Sequence, residues 1–382
     1  MSTTATTRTD HPTETLSLAM ELGNGRWHLG FTTGFGQATR QRSVAARDRR
    51  ALLREIEEAK KRFGLPAKAR VVSCYEAGRD GFWLHRFLTS EGVENHVIDS
   101  SSIEVNRRRR RAKTDRLDLD GLLRLLLRYE AGERRAFAVV RVPSDSEEDA
   151  RHLHRELLTA KRDRTRVTNR IRGFLANQGL EINLAGDVPG QLEEMRRWDG
   201  SPLPKTLIRR LRREWERVLF LTAQVQELVK ERRSLIRESS DPAFAKVMQL
   251  AHLKGVGIES AWLHTMEFFG WRDFQNGKQI GGLAGLTPTP HQSGALRREL
   301  GIDKAGNKRV RWMAIEAAWS WIRFQPNSAL TRWYDERFAH GGPRMRKIGI
   351  VAVARKLLVS LWRYLETGVL PEGAELKERV QI

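Results

Sequence analysis

The chain has 382 residues, 40% of them apolar, and 68 Lys and Arg against 47 acids, for a formal charge of +21. That length suits two or three domains rather than one. The charge points to a polyanionic partner, because clustered cations neutralise phosphates and release counterions. The single cysteine, Cys74, excludes an intramolecular disulfide and a multi-cysteine zinc site. No run approaches the ~20 apolar residues of a membrane span, and the Thr-rich start has no apolar signal core. Residues 1–15 read as a disordered tail and the protein as cytoplasmic, without a membrane partner.

In chain order, residues 16–44 alternate as strands do. Leu16, Leu18 and Met20 form one run and Trp27, Leu29 and Phe31 a second, across the turn Gly23-Asn24-Gly25. Leu52, Leu53, Ile56 and Ala59 have helical spacing within Arg47 to Phe63. A buried strand follows over Arg70–Tyr75, then a helix over Phe82–Leu88, a strand around His96–Asp99 and a helix from Thr114 to Tyr129. Strands alternating with helices after a hairpin give an α/β domain over 16–142.

The middle, 143–240, changes period. Leu153, Leu157, Ala160, Val167, Ile171 and Phe174 follow a heptad, as do Leu211, Trp215, Val218, Thr222, Val225 and Val229. Two long helices either fold back on each other or pair with another subunit. Their polar faces are basic (Lys161, Arg162, Arg164, Arg166, Arg170, Arg172), which suits either solvent or nucleic acid. From 241 to 382 Gly and Trp become common, and a third, mainly helical unit is expected, with helices over Lys308–Trp321 and Ile348–Leu365.

Four acids stand out by position. Glu21 ends the first strand, Glu76 ends the strand Val71–Tyr75, and Asp115 and Asp118 share a helix face at a spacing of three. Nuclease chemistry commonly uses divalent cations held by carboxylates, and Mg2+ takes oxygen ligands. A shared metal would satisfy all four. Asp115 and Asp118 could equally sit in a first helical turn, where acids suit the dipole. Before them runs Arg107, Arg108, Arg109, Arg110, Arg111 and Lys113, able to hold a nucleic-acid backbone or simply to face solvent.

The last unit holds Gly282-Leu283-Ala284-Gly285-Leu286-Thr287-Pro288-Thr289-Pro290-His291-Gln292-Ser293-Gly294. A serine beside glycine on a loop allows close approach to a phosphate. Arg297, Arg298 and Lys304 could stabilise charge on a transferring phosphoryl group, and His291 could serve as base. An ordinary Ser-Gly turn gives the same pattern. Lys254-Gly255-Val256-Gly257 resembles the turn of a helix-hairpin-helix element, with Gly255 and Gly257 offering amides to a phosphate.

Together, Tyr75-Glu76-Ala77-Gly78, Lys113-Thr114-Asp115-Arg116-Leu117-Asp118 and the Gly-Ser loop with Gly301-Ile302-Asp303-Lys304-Ala305-Gly306-Asn307 resemble bacterial transposases of the insertion-sequence one-ten type, the bridge-RNA-guided DEDD/serine recombinases. The resemblance runs from about Leu16 to Leu365. It implies a RuvC-like N-terminal domain of the RNase H fold (16–142), a coiled-coil linker used in assembly (143–240) and a C-terminal transposase domain (241–382). It implies that Glu21, Glu76, Asp115 and Asp118 bind Mg2+ and that Ser293 attacks DNA. The partners it implies are donor and target DNA, a structured guide RNA from the same element, and further copies of the chain as a dimer or tetramer. The setting would be the bacterial nucleoid. Two positions depart from the family pattern: Glu21 stands where Asp is usual, and Gln292 precedes Ser293 where many members have a second serine. A metal-only junction nuclease and a non-catalytic nucleic-acid-binding protein are the competing readings.

Overall fold

The computed structural model describes residues 15–78, 81–103, 115–293 and 296–380, without the side chains of 101, 115–117 and 290–300. The tail before residue 15, and Arg107, Arg108, Arg109, Arg110, Arg111 and Lys113, lie outside the described residues. The chain forms two compact units, 1–143 and 144–382. The two long middle helices belong to the same unit as the C-terminal helices.

Unit one is built from β1 (Thr15–Leu22), β2 (Arg26–Thr32), β3 (Arg40–Ala45), α1 (Arg49–Arg62), β4 (Arg70–Glu76), α2 (Trp83–Ser90), β5 (Glu94–Ile98) and α3 (Asp115–Glu130). The five-stranded sheet has the order β3-β2-β1-β4-β5. β2 is antiparallel to both β1 and β3, whereas β1, β4 and β5 run parallel. Alternation divides the side chains between two faces. Leu16, Leu18, Met20, Trp27, Leu29 and Phe31 pack with Leu52 and Ile56 of α1 and Leu84 and Leu88 of α2. Ala19, Val72, Cys74 and Ile98 face Leu119, Leu122, Leu123 and Leu126 of α3. Burying each large aliphatic side chain contributes roughly 1.5–3 kcal/mol, so the helices on both faces hold the sheet firmly. The expected hairpin gains a third strand. β3 buries only Val44, so its sequence carries little strand periodicity.

Unit two opens with α4 (Asp145–Ala176), whose capping box joins Ser144 and Glu147. Then come α5 (Val188–Glu194) and the 34-residue α6 (Lys205–Glu238). The long helices fold back on each other. Val167, Ile171 and Leu175 meet Leu211 and Val218, and Leu157 and Ala160 meet Val225 and Leu228. Buried Glu214 accepts from Arg170 at 3.0 and 2.9 Å, which fixes the pairing between the stripes. The basic face is partly consumed internally: Lys161 pairs with Glu259, Arg166 with Asp163, and Arg162 lies over Trp312.

The remainder is α7 (Pro242–Ala251), α8 (Ile258–His264) running into a π-helical turn (Thr265–Phe269), α9 (Gly277–Leu283), the hairpin β6 (Pro288–Ser293) and β7 (Leu296–Ile302), α10 (Lys308–Phe324), α11 (Ala329–Tyr334) with a second π-helical turn (Asp335–Ala339), and α12 (Pro343–Thr367). Trp262, Phe268, Val310, Trp321, Val353 and Leu361 form its core. Lys377, near the chain end, donates to the carbonyls of Ala251 (2.6 Å) and Val256 (2.7 Å), tying the C-terminal segment to the α7–α8 turn. Among the described residues, no helix is long and apolar enough to cross a membrane.

Candidate active site

The register of unit one places the predicted acids. Met20 pairs with Tyr75, so Glu21 and Glu76 follow at the C-terminal ends of two adjacent parallel strands. Both alternate onto the side that faces α3, with Ala19 and Cys74. The direction of α3 is given by its contacts. Glu130, its last residue, is 2.9 Å from Arg70 at the start of β4, while the Leu122 carbonyl lies 3.9 Å from the Cys74 thiol further along that strand. Hence α3 runs antiparallel to β4, and its first turn comes to the strand ends that carry Glu21 and Glu76. Asp118 is exposed there; Asp115 begins the helix, its side chain outside the described residues. Glu76 is also exposed, and Glu21 is half-buried. Sequence reasoning missed Asp99, which directly follows β5 at the same edge; its signal was an acid closing the apolar run Val97-Ile98.

At the opposite end of the sheet, Glu94, His96 and Glu130 bring ligand atoms close enough for a metal ion. That place is already filled by a cation of the chain. Arg70 donates to Glu94 at 3.1 and 2.6 Å and lies 2.9 Å from Glu130. The adjacent acids in turn hold the Arg70 guanidinium above its usual pKa, the Glu94 hydrogen bond contributing most. The His96 ring packs at a tilt against Tyr129, centroids 5.1 Å apart. This cluster is built around a cation of the chain itself, and it is the wrong end of the sheet for the predicted acids.

In unit two the predicted serine loop is a β-hairpin. Ser293 ends β6 and pairs with Leu296, while Gln292 pairs with Arg297 and His291 with Arg298. Pairing of β6 with the alternating run Leu296-Arg297-Arg298-Glu299-Leu300 outweighs the loop tendency of the Ser-Gly dipeptide. The side chains of His291, Ser293, Arg297 and Arg298 lie outside the described residues. Lys304 is exposed at the hairpin base and has φ 59°, a left-handed conformation unusual for a lysine.

That base is tied down tightly. Gly285 has φ 67°, and a Cβ there would fall 1.7 Å from the Ala305 carbonyl oxygen, so only glycine fits. Arg311 donates to the carbonyls of Ala284 (3.2 Å) and Ala305 (3.1 Å), one before β6 and one after β7. Asn307 donates from its backbone to the Leu283 carbonyl at 2.8 Å. Its side-chain oxygen caps α10, accepting from Arg309 at 2.9 Å and Val310 at 3.3 Å. Its amide donates to Glu267 (3.3 Å), which also accepts from Arg155 at 2.7 and 2.9 Å.

Glu267 is 1% exposed and stands in the π-helical turn, a local irregularity often found at functional sites. Burial pushes its carboxyl pKa up, but the Arg155 hydrogen bond and charge prevail and hold it below the ordinary value. Beside it, burial lowers His154 to about 4 and His264 to about 3, so both imidazoles are neutral near pH 7. None of Arg155, Glu267 or Asn307 was predicted, although Asn307 lies within the motif that carried the resemblance.

The helix-hairpin-helix expectation divides. Gly255 has φ 78°, and its Cβ position lies 3.1 Å from the Ser320 carbonyl of α10, so its glycine is accounted for by packing. Gly257, the N-cap of α8, has open space around it.

The chain is 40% identical over 377 residues to putative transposase y4rJ of Sinorhizobium fredii (strain NBRC 101917 / NGR234), covering 94% of each protein. It is also similar to a probable family 20 transposase of Pseudomonas aeruginosa (27% over 240 residues, 62% of this chain and 69% of that one) and to the transposase for insertion sequence element IS1328 of Yersinia enterocolitica (23% over 193 residues, 50% and 54%). The protein is therefore a transposase by class. Residues 248–333, from α7 into α11, match the model of the transposase IS116/IS110/IS902 family, and the chain belongs to that family.

Proposed function

We propose that this transposase cuts and rejoins DNA with two sets of residues, a RuvC-like acidic site of the RNase H fold in unit one and the nucleophile Ser293 in unit two. The observation that carries the reading is the sheet edge: Glu21 and Glu76 end adjacent parallel strands where α3 begins with Asp115 and Asp118. A donor set of carboxylate oxygens on an accessible edge fits Mg2+. When bound by these four acids, the ion would supply Lewis-acid polarisation of a phosphodiester oxygen.

The chain's own groups do the rest. The Ser293 Oγ attacks phosphorus; its new O–P bond forms as the bond from phosphorus to a deoxyribose oxygen breaks, and the hydroxyl proton passes to solvent or to the leaving oxygen. Attack on that phosphoserine by a second strand's hydroxyl reverses the step and rejoins DNA. Arg297, Arg298 and Lys304 offset the charge that builds on the phosphoryl group. The anchored hairpin base supports this reading, because proximity catalysis requires a nucleophile carried on a fixed element.

Donor and target DNA are the substrates, with a structured guide RNA as partner. The RNA rests on the family resemblance alone, and Arg107, Arg108, Arg109, Arg110, Arg111 and Lys113 are the residues assigned to its or the DNA's backbone, with Gly257 a further amide contact. The chain acts as a dimer or tetramer in the bacterial cytoplasm. Self-association is supported by Leu219 and Phe220, exposed at 52% and 68% on the middle of α6, outside the α4–α6 seam.

The test is a covalent-adduct assay. Purified protein, Mg2+, the element's flanking RNA and end-labelled DNA are resolved on a denaturing gel. Wild type should give a protein–DNA adduct that Ser293→Ala and Asp118→Asn both lose. Cleavage that persists in Ser293→Ala without an adduct would assign the chemistry to the acids alone. Binding without cleavage by wild type would make the protein a non-catalytic binder.

A further inference from the structure

α12 has two faces. Ile350, Val353, Ala354, Leu357, Leu358 and Leu361 are buried in the core of unit two. The other stripe, running from Arg344 through Lys347, Val351, Arg355 and Val359 to Arg363, borders a groove of about 2590 Å³. Small-molecule pockets occupy roughly 300–1,000 Å³, so this groove is the size of a macromolecular segment. It extends to Pro288, Gly301 and Ile302, at the base of the β6–β7 hairpin.

Its lining is one-sided in charge. Lys278, Arg344, Lys347, Arg355, Lys356 and Arg363 line it, against Glu366 and Glu372. Glu372 already has a cation, Arg332, at 3.4 Å. Among the described residues none of the six cations is in an ion pair. Between them lie apolar groups that face solvent, Met345, Ile348, Val369 and Leu370. Lys356 is held 4.6 Å from the Trp333 ring centroid, so its charge is positioned rather than free to wander.

The geometry points to a channel for one strand of DNA, running along α12 to the hairpin that bears Ser293. Cations spaced along a groove meet successive phosphates. Exposed apolar side chains between them meet the faces of unpaired bases, which a duplex would keep stacked inside. DNA is the occupant because the protein is a transposase and the groove ends at the hairpin. The proposal depends on the reading of Ser293 only for where the strand leads.

The experiment measures equilibrium binding by fluorescence anisotropy, in EDTA so that no chemistry occurs. The full-length chain is titrated with labelled dT20, a 20-base-pair duplex and rU20. Lys347→Gln/Arg363→Gln is compared with the control Arg54→Gln/Arg62→Gln on α1, where both residues are exposed. The groove variant should bind dT20 at least tenfold more weakly, with a log–log salt slope smaller by about 1.4, as expected for losing two single-strand phosphate contacts; the control should match wild type. Ile348→Ser, which removes no charge, should weaken dT20 binding and leave the duplex unaffected. Cross-linking with 5-iodouracil oligonucleotide should label peptides of α12, which keeps the idea testable if the double variant folds poorly.

Unchanged dT20 affinity and slope would overturn the proposal. So would equal losses for rU20 and duplex, which would make the groove a general anion surface, or a shift in sedimentation with binding intact, which would make it an interface between copies. The assay reads binding alone, with no chemistry, so failure of the nucleophile reading would leave this result standing.

Discussion

The two ends of the unit-one sheet both carry acids, and the ends are not alike. At one, Glu94 and Glu130 close on Arg70 at 2.6 and 2.9 Å. At the other, Glu76 and Asp118 are exposed, and neither makes an ion pair among the described residues. Glu267 in unit two follows the first pattern, with Arg155 as its built-in cation. An acid with an internal cation serves cohesion. Exposed acids such as Glu76 and Asp118, in no ion pair among the described residues, can accept a cation from outside. The tight clustering of Glu94, His96 and Glu130 belongs to the first kind, because the ion pair with Arg70 draws these side chains together.

The sharpest way to break this contrast is paired neutralisation. Asp118→Asn or Glu76→Gln should lower strand transfer at least about 100-fold, near 2.7 kcal/mol of barrier, and leave the melting temperature within error. Glu130→Gln should do the reverse, with activity kept and the melting temperature lowered. Equal activity losses at both ends, measured on the same DNA, would remove the distinction. Titration calorimetry with Mn2+ sharpens it: heat lost in Asp118→Asn and retained in Glu130→Gln is the expected pair of results.

Next in size is Glu267→Gln. It leaves Arg155 beside a neutral amide, and breaking a buried pair typically costs 3–5 kcal/mol. Arg155 keeps 34% exposure, so about 2 kcal/mol is expected in urea unfolding. A change below 0.5 kcal/mol would show the pair to be incidental.

Acid should act in the same direction. His154 and His264 titrate at about 4 and 3 when folded, below the ordinary 6.5. Between those values the unfolded chain binds more protons, so stability rises with pH. It is complete above about pH 6.5 and is lost, on the order of a few kcal/mol, as pH falls toward 4 and then 3. Melting temperatures from pH 7.5 to 4.5 should slope accordingly, less steeply in His154→Gln; a flat profile would contradict burial of these rings. The smallest effect is at Lys61, whose ion pair with Glu58 is on the surface of α1. Lys61→Ala should not move the melting temperature measurably.

Much of unit one is legible in the sequence because alternation and helical spacing are local. Leu16, Leu18 and Met20 announce β1, and Leu52, Ile56 and Ala59 announce α1. The heptads show two paired helices, but not that they fold back on each other, since the same stripe serves either a neighbour in the chain or another copy. β3 was missed because one buried residue leaves no period. Of the candidate site, the acids are visible one by one as strand ends and a helix start; their meeting at one edge depends on β1 lying beside β4, a pairing between segments far apart in sequence. The Arg155–Glu267–Asn307 network was illegible for the same reason. Its members are 112 and 40 residues apart, and nothing local marks one glutamate among many as buried.

Cys74 has a practical consequence. It is the chain's one thiol, fully buried between the sheet and α3, and burial raises its pKa so that the reactive thiolate is suppressed. A thiol reagent can reach it only when α3 lifts away. The labelling rate is thus a clock, native to the molecule, for the opening of the helix that carries Asp115 and Asp118. Time courses with and without Mn2+ or DNA would report how strongly each holds that half of the protein shut.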